Sequence, residues 1–307
     1  MALSTALFVL SLVGLVWSDG PRPLVLWHGL GDSANSPGML QFADEIKTVH
    51  PGIFVHSVYI DEDLNKDKQA GFYGNVNEQV QLVSEQIAAI PELTGGFDGI
   101  GFSQGGQFLR AYVERYNSPP VHNLITFGSQ HFGISDVPVC GPRDFVCQIA
   151  RRAIKSAVYG SWAQENIAQY FRDPANIERY YAWNHFLTSI NNEIAESRNE
   201  TYARNLASLN KLVLVIFTKD VTVVPKESSW FASEVISDEL VQLPNGQQQV
   251  LAGSRTLVPM REQPLYVEDW IGLRELDERG GVDFAECEGV HMQIGECWED
   301  LVRQYAG

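Results

Sequence analysis

Gly101-Phe102-Ser103-Gln104-Gly105 sets a serine in the spacing Gly-x-Ser-x-Gly. A compact apolar run, 98–102, precedes the serine, and a helix-compatible run opens directly after it at Gln104. This is the context of a nucleophilic serine on a sharp strand-to-helix turn, whose neighbours must be small. Such a turn lifts the hydroxyl above the sheet edge. It also aims a helix N-terminus at the reacting carbonyl, where developing negative charge is favoured. The chemistry implied is acyl transfer through a covalent acyl-serine.

A serine hydroxyl needs a base to become a nucleophile. With an elbow of this kind the order along the chain is serine, acid, histidine. Four histidines follow Ser103: His122, His131, His185 and His291. The first is expected at the opposite end of the sheet and the third in a helical stretch. His131 lies just past a strand end and competes, but it precedes any acid on a later strand. His291 sits in Glu288-Gly289-Val290-His291, a loop that a glycine can bend, and is taken as the base. Asp220 ends the run 212–217 plus Thr218-Lys219 and is taken as the acid, with Asp269 and Asp277 as competitors. An aspartate there would fix the imidazole tautomer and stabilise its charged form. Two backbone N–H groups must receive the oxyanion. One belongs to Gln104, the other to the loop His28-Gly29-Leu30-Gly31-Asp32, with Leu30 as the donor.

These residues require a sheet to carry them. Runs 24–27, 52–60, 98–102, 121–127 and 212–217 read as strands, with a further one at 281–287. Residues 36–48, 76–90 and 104–116 have helical apolar spacing, and 297–305 reads as a closing helix. The alternation predicts an α/β protein: a mostly parallel central sheet flanked by helices. No strand is expected between 138 and 210. Short helices at 151–159, 162–172, 174–186 and 202–209, rich in Trp and Tyr, read as a helical insertion. Residues 236–262 read as loops or a hairpin.

The chain has 307 residues, 22 Lys+Arg against 38 Asp+Glu, and a net charge of −16. That balance argues against nucleic acid and anionic surfaces, which recruit basic clusters. Residues 6–17 are apolar but too short to span a bilayer. Residues 1–18 are expected to be a signal peptide, and no transmembrane segment is expected. Four cysteines suit an oxidising compartment, with pairing left open by the sequence. Asn199-Glu200-Thr201 is a glycosylation sequon.

Together the residues resemble the palmitoyl-protein thioesterases, lysosomal type, within the α/β-hydrolases. The resemblance is carried by Trp27-His28-Gly29-Leu30-Gly31-Asp32-Ser33, where Leu30 replaces a familiar methionine. It is carried most strongly by Gly101 through Arg110, then by Gly128-Ser129-Gln130-His131, Phe217-Thr218-Lys219-Asp220 and Glu288-Gly289-Val290-His291. It implies an α/β-hydrolase core at 19–137 and 211–307 and a lipid-binding helical second domain at 138–210. It implies Ser103, Asp220 and His291 as the triad, Leu30 and Gln104 as oxyanion donors, and no metal or cofactor. Asn199 falls at a family glycosylation position and Cys140–Cys147 at a family disulfide. Cys287 and Cys297 look additional to the family pattern, as a second pair tying the loop of His291. Cysteines familiar near residues 34 and 84 are absent. The implied activity removes long-chain acyl groups from S-acylated proteins or peptides and other fatty acyl thioesters. The implied location is the lysosome, reached through the secretory pathway, with secretion besides. A secreted lipase or carboxylesterase acting on oxygen esters, or an inactive binding protein on the same scaffold, would share much of this pattern.

Overall fold

The structure is a computed structural model and describes residues 20–136, 148, 151, 168–242 and 248–307. The expected signal peptide and the Cys140–Cys147 pair lie outside the described residues, as does most of the first half of the expected insertion.

Six strands form one parallel sheet: β1 (Leu24–Trp27), β2 (Val55–Ser57), β3 (Phe97–Phe102), β4 (Val121–Phe127), β5 (Lys211–Phe217) and β8 (Val282–Cys287). Their spatial order is β2-β1-β3-β4-β5-β8. β1 and β3 are buried along their whole length, as parallel strands covered on both faces must be. Side-chain alternation divides the core in two. Val25 and Trp27 point into one apolar layer with Leu124, Leu212 and Leu214. Leu24 and Leu26 point into the other with Ile125, Phe127, Val213 and Val215.

Helices cover both faces. On one side α1 (Pro37–Val49) buries Met39, Phe42, Ala43 and Ile46. Ser36 caps it by accepting the Met39 N–H at 3.3 Å. On the other side lie α3 (Val76–Ala88) and α4 (Gln104–Arg115), with α2 (Leu64–Tyr73) between β2 and α3. After β4 the described part of 138–210 is helical: α5 (Ile177–Trp183), α6 (Leu187–Ile190), α7 (Glu200–Ala207) and single 3-10 turns. A hairpin, β6 (Ser233–Gln242) and β7 (Gln248–Val258), stands apart from the sheet. It is followed by α8 (Pro264–Val267), α9 (Leu273–Glu278) and, after β8, α10 (Cys297–Tyr305).

Two expectations need correction. The strand expected over 52–60 is only β2, three residues long: Gly52 lies in a turn, and the Ile60 N–H is taken by the Asp67 carboxylate instead of by β1. The helix α2 was not expected at all; the single side chain it buries is Asp67, so no apolar period announces it.

The insertion is fastened to α4 through buried charge. Arg110, fully buried, donates to Glu114 Oε1 (2.9 Å), Asn191 Oδ1 (2.9 Å) and the carbonyls of Ile190 (3.2 Å) and His131 (3.1 Å). Burial raises the Glu114 carboxyl to about 7 even with Arg110 beside it. Glu193 continues the network, accepting from Asn191, Tyr180 and Arg172. Such a cluster is tolerated in a core because each charge is paired and hydrogen-bonded.

Candidate active site

Ser103 directly follows β3 and stands at the N-cap position of α4, with φ 51° and ψ −116°. A non-glycine residue in that region costs about 1–3 kcal/mol and persists only where its surroundings impose it. Here they do. The Ser103 N–H donates to the Phe127 carbonyl at 2.7 Å. A Cβ on Gly101 would lie 2.3 Å from the Gly106 Cα, and one on Gly105 would lie 2.3 Å from the Trp27 carbonyl oxygen. The two motif glycines are therefore required by close backbone approach, and the serine takes the strained position that results.

Asp220 follows β5, and His291 lies in the loop from β8 to α10. β4 separates β3 from β5, and β8 lies beyond β5, so these connections share the C-terminal edge of the sheet. His291 Nε2 is 3.0 Å from Ser103 Oγ, and Nδ1 is 2.7 Å from Asp220 Oδ2. Asp220 Oδ1 accepts the N–H groups of Thr222 (2.8 Å) and Val223 (3.0 Å), which fixes the carboxylate plane. With Nδ1–H committed to Asp220, Nε2 is the basic nitrogen and accepts from the serine hydroxyl. The ring edge also meets Phe217, centroids 6.0 Å apart.

The competing residues have other partners. His131 is fully buried, pairs with Thr126 Oγ1 at 3.0 Å and stacks on Phe231. Burial, together with the Arg110 charge, holds its ring well below the usual histidine range. His122 lies at the start of β4, at the opposite end of the sheet, and is exposed; His185 is exposed too. Asp277 is gripped by Arg261 (2.8 and 3.0 Å) and Tyr266 (2.7 Å), and Asp269 accepts the Arg274 and Glu275 N–H groups.

The loop 28–32 runs beside the nucleophile: a Cβ on Gly29 would sit 3.4 Å from Ser103 Cβ. The backbone N–H groups of Leu30 and Gln104 have no partner among the described residues. The Gln104 side chain donates to the Gly71 carbonyl (3.2 Å) and to the Tyr170 hydroxyl, so α2 and residue 170 brace the residue after the serine.

Sequence reading missed what holds this loop. Asp67, fully buried on α2, accepts the N–H groups of Ala34 (3.0 Å) and Ile60 (2.8 Å) and lies 3.3 Å from His28 Nε2. His28 Nδ1 in turn lies 3.0 Å from the Gly29 carbonyl. Burial pushes the Asp67 carboxyl up, but His28 and the Ile60 N–H outweigh it and hold it at about 2. Since this lies below its ordinary 3.8, the stabilisation is present above pH 4 and is lost only as pH falls toward 2. The one available sequence signal was Asp63, whose side chain caps α2.

Asp67→Asn is expected to place an amide NH2 against a backbone N–H it cannot serve. The expected loss is about 1–3 kcal/mol of stability and, through displacement of the loop, roughly 10- to 100-fold in kcat. Urea unfolding alongside steady-state kinetics checks this. A variant that loses stability but keeps wild-type kcat would separate Asp67 from the site.

A parallel sheet, a strained serine between β3 and α4, and an imidazole and a carboxylate in series behind it define an α/β-hydrolase. Within that class, the family profile described as palmitoyl protein thioesterase matches residues 23–291. Palmitoyl-protein thioesterase 1 of Caenorhabditis elegans is 39% identical over 292 residues, covering 92% of this chain and 91% of that protein. Palmitoyl-protein thioesterase 3 of Dictyostelium discoideum is 31% identical, covering 95% and 92%. Lysosomal thioesterase PPT2-B of Xenopus laevis is 28% identical, covering 88% and 85%. The chain belongs to the palmitoyl protein thioesterase family and is a hydrolase of the thioesterase class.

Proposed function

We propose that the protein removes long-chain acyl groups, palmitoyl foremost, from cysteine thioesters of proteins or peptides through an acyl-serine intermediate. Ser103 is the nucleophile, His291 the base, Asp220 its partner, and the Leu30 and Gln104 N–H groups the oxyanion donors. The single observation that carries this is the unbroken hydrogen-bonded series Asp220–His291–Ser103 in a chain of this family.

His291 Nε2 takes the hydroxyl proton as Ser103 Oγ attacks the thioester carbonyl. Negative charge gathers on the carbonyl oxygen against the two amides, and Asp220 stabilises the imidazolium. Collapse expels the thiolate, which has a pKa near ~8.5 and so leaves with less proton assistance than an alkoxide would need. His291 returns its proton to the thiolate. Water, deprotonated by the same nitrogen, then cleaves the acyl-serine. Every proton transfer is carried by groups of this chain.

Chain length enters through burial. Each CH₂ removed from water contributes about 0.8 kcal/mol, so a fatty chain contributes roughly 10 kcal/mol gross, much of it offset by extraction from a bilayer. The insertion at 138–210 is the proposed wall for that chain.

The proposed location is the lysosome, with secretory entry. Two observations support it: relatives are named lysosomal thioesterases, and the Cys287–Cys297 disulfide suits an oxidising lumen. Asn199, exposed at the start of α7 with its Oδ1 accepting the Thr201 N–H, is the proposed glycan site.

The deciding measurement compares palmitoyl thioesters with matched palmitoyl oxygen esters. The expected result is a higher kcat/KM for the thioester. A preference for the oxygen ester would make the protein a lipase or carboxylesterase on the same machinery.

A further inference from the structure

The base is carried by a loop with few attachments. It runs from Cys287, the last residue of β8, to Cys297, the first of α10, and His291 stands near its middle. Its first residues are tied to β5's extension: the Thr218 N–H donates to the Cys287 carbonyl (3.0 Å) and the Lys219 N–H to the Gly289 carbonyl (2.9 Å). Beyond Gly289 the backbone bonds among the described residues are internal to the loop, from Gln293 to Val290 and from Cys297 to Ile294. Its apolar side chains give little purchase. Val290 is 50% and Met292 36% exposed, and Ile294 alone packs against the core. Met292, next to the base, holds a left-handed φ of 65°, a conformation an isolated loop would tend to leave.

Apart from its edge contact with Phe217, His291 is held by its own bonds to Ser103 and Asp220. During turnover the bond to Ser103 is exchanged for bonds to the leaving sulfur and then to water. The position of the ring must therefore be set by something the reaction does not consume. The Cys287–Cys297 disulfide joins the two ends of this loop, Cα atoms 5.5 Å apart. Each end is rooted independently: β8 is paired with β5, and α10 buries Trp298 and Val302 in the core.

We infer that the Cys287–Cys297 disulfide is a positioning element for His291, closing the loop so that Nε2 stays in line with Ser103 Oγ through the catalytic cycle. This rests on His291 being the base. Because both ends of the loop have their own anchors, removing the bond should loosen the loop without unfolding the domain.

The test is the double variant Cys287→Ser/Cys297→Ser. A misplacement of about 1 Å at a reacting group costs on the order of 100-fold in rate. The expected result is a fall of 10- to 100-fold in kcat for a soluble acyl thioester, with KM within about twofold. The rate of Ser103 modification by a fluorophosphonate should fall in parallel, while the urea midpoint moves little. A second arm uses the folded wild type. A small dithiol supplies two electrons and two protons, converting the disulfide to two thiols as the reagent closes to its own ring disulfide. Activity should fall as in the variant, return on reoxidation, and show no further fall when the variant itself is treated. That last control separates this bond from Cys140 and Cys147. Wild-type kcat in the variant, or a loss of kcat that only tracks the loss of folded protein, overturns the inference. A wild type that no fluorophosphonate labels at Ser103 would instead overturn the proposed mechanism.

Discussion

Ser103→Ala is expected to abolish covalent labelling by a fluorophosphonate and to lower kcat by roughly 10⁴- to 10⁶-fold, while leaving the fold in place. The two halves of this expectation come from different atoms. All the nucleophilic chemistry lies in Oγ, whose one hydrogen-bond partner among the described residues is His291 Nε2. The energetic burden at this position lies in the backbone, at φ 51°, and alanine bears that angle no worse than serine does. Loss of Oγ leaves His291 at a partly exposed rim, where water can replace the lost bond. Stability should therefore change by no more than about 0.5 kcal/mol. The neighbouring positions make the contrast. Gly105→Ala would drive a methyl to 2.3 Å from the Trp27 carbonyl oxygen, so β1 and α4 would have to part, and both activity and stability would go. Mass spectrometry of the labelled protein, run beside thermal unfolding, reads both quantities. Undiminished labelling of the alanine variant would remove Ser103 from the mechanism.

Much of the scaffold was legible because its strands are buried on both faces. The runs 24–27 and 121–127 are apolar enough to show their ends to the residue, and they match β1 and β4. The closing helix 297–305 is α10, betrayed by its one-sided apolar stripe. What escaped was held by polar contacts, which leave no period in a sequence. α2 buries a carboxylate instead of an apolar face, so hydrophobic spacing had nothing to register. Arg110 and Glu114 are fully buried as a pair, and Arg110 reaches on to Ile190 and Asn191 of the insertion, a link that the spacing of residues in 104–116 does not announce. In the hairpin of β6 and β7, Val235, Ile236 and Leu257 are exposed, which blurs the inside–outside alternation, so the sequence of 236–262 does not distinguish loops from a hairpin. The residues proposed for the chemistry were easier to find than the ones that hold them. Catalytic roles restrict residue type and chain order, whereas Asp67 could be recognised only once α2 was seen to pass over the loop 28–32.

Asp220→Asn is expected to cost about 10⁴-fold in kcat with little change in KM or in the unfolding midpoint. The direction follows from the two ends of the carboxylate. Oδ1 accepts the Thr222 and Val223 N–H groups, so in the variant the amide oxygen must stay on that side. The NH2 is then forced toward His291. Facing a donor, the imidazole can bond only by presenting a bare Nδ1, which moves its proton to Nε2. Nε2–H then points at Ser103 Oγ and cannot take its proton. The ring remains in place, 2.7 Å from the same partner, but in the wrong tautomer, and the imidazolium that should form loses its counter-charge. Because volume and the two backbone bonds are conserved, the fold has no reason to change. Asp220→Ala would instead strand those two N–H groups and add a stability loss of about 1–3 kcal/mol, so the asparagine variant is the one that isolates chemistry. Steady-state kinetics on a soluble thioester, paired with urea unfolding, measures both effects. If Asp220→Asn keeps wild-type kcat while Asp269→Asn or Asp277→Asn loses it, the acid has been assigned to the wrong strand end.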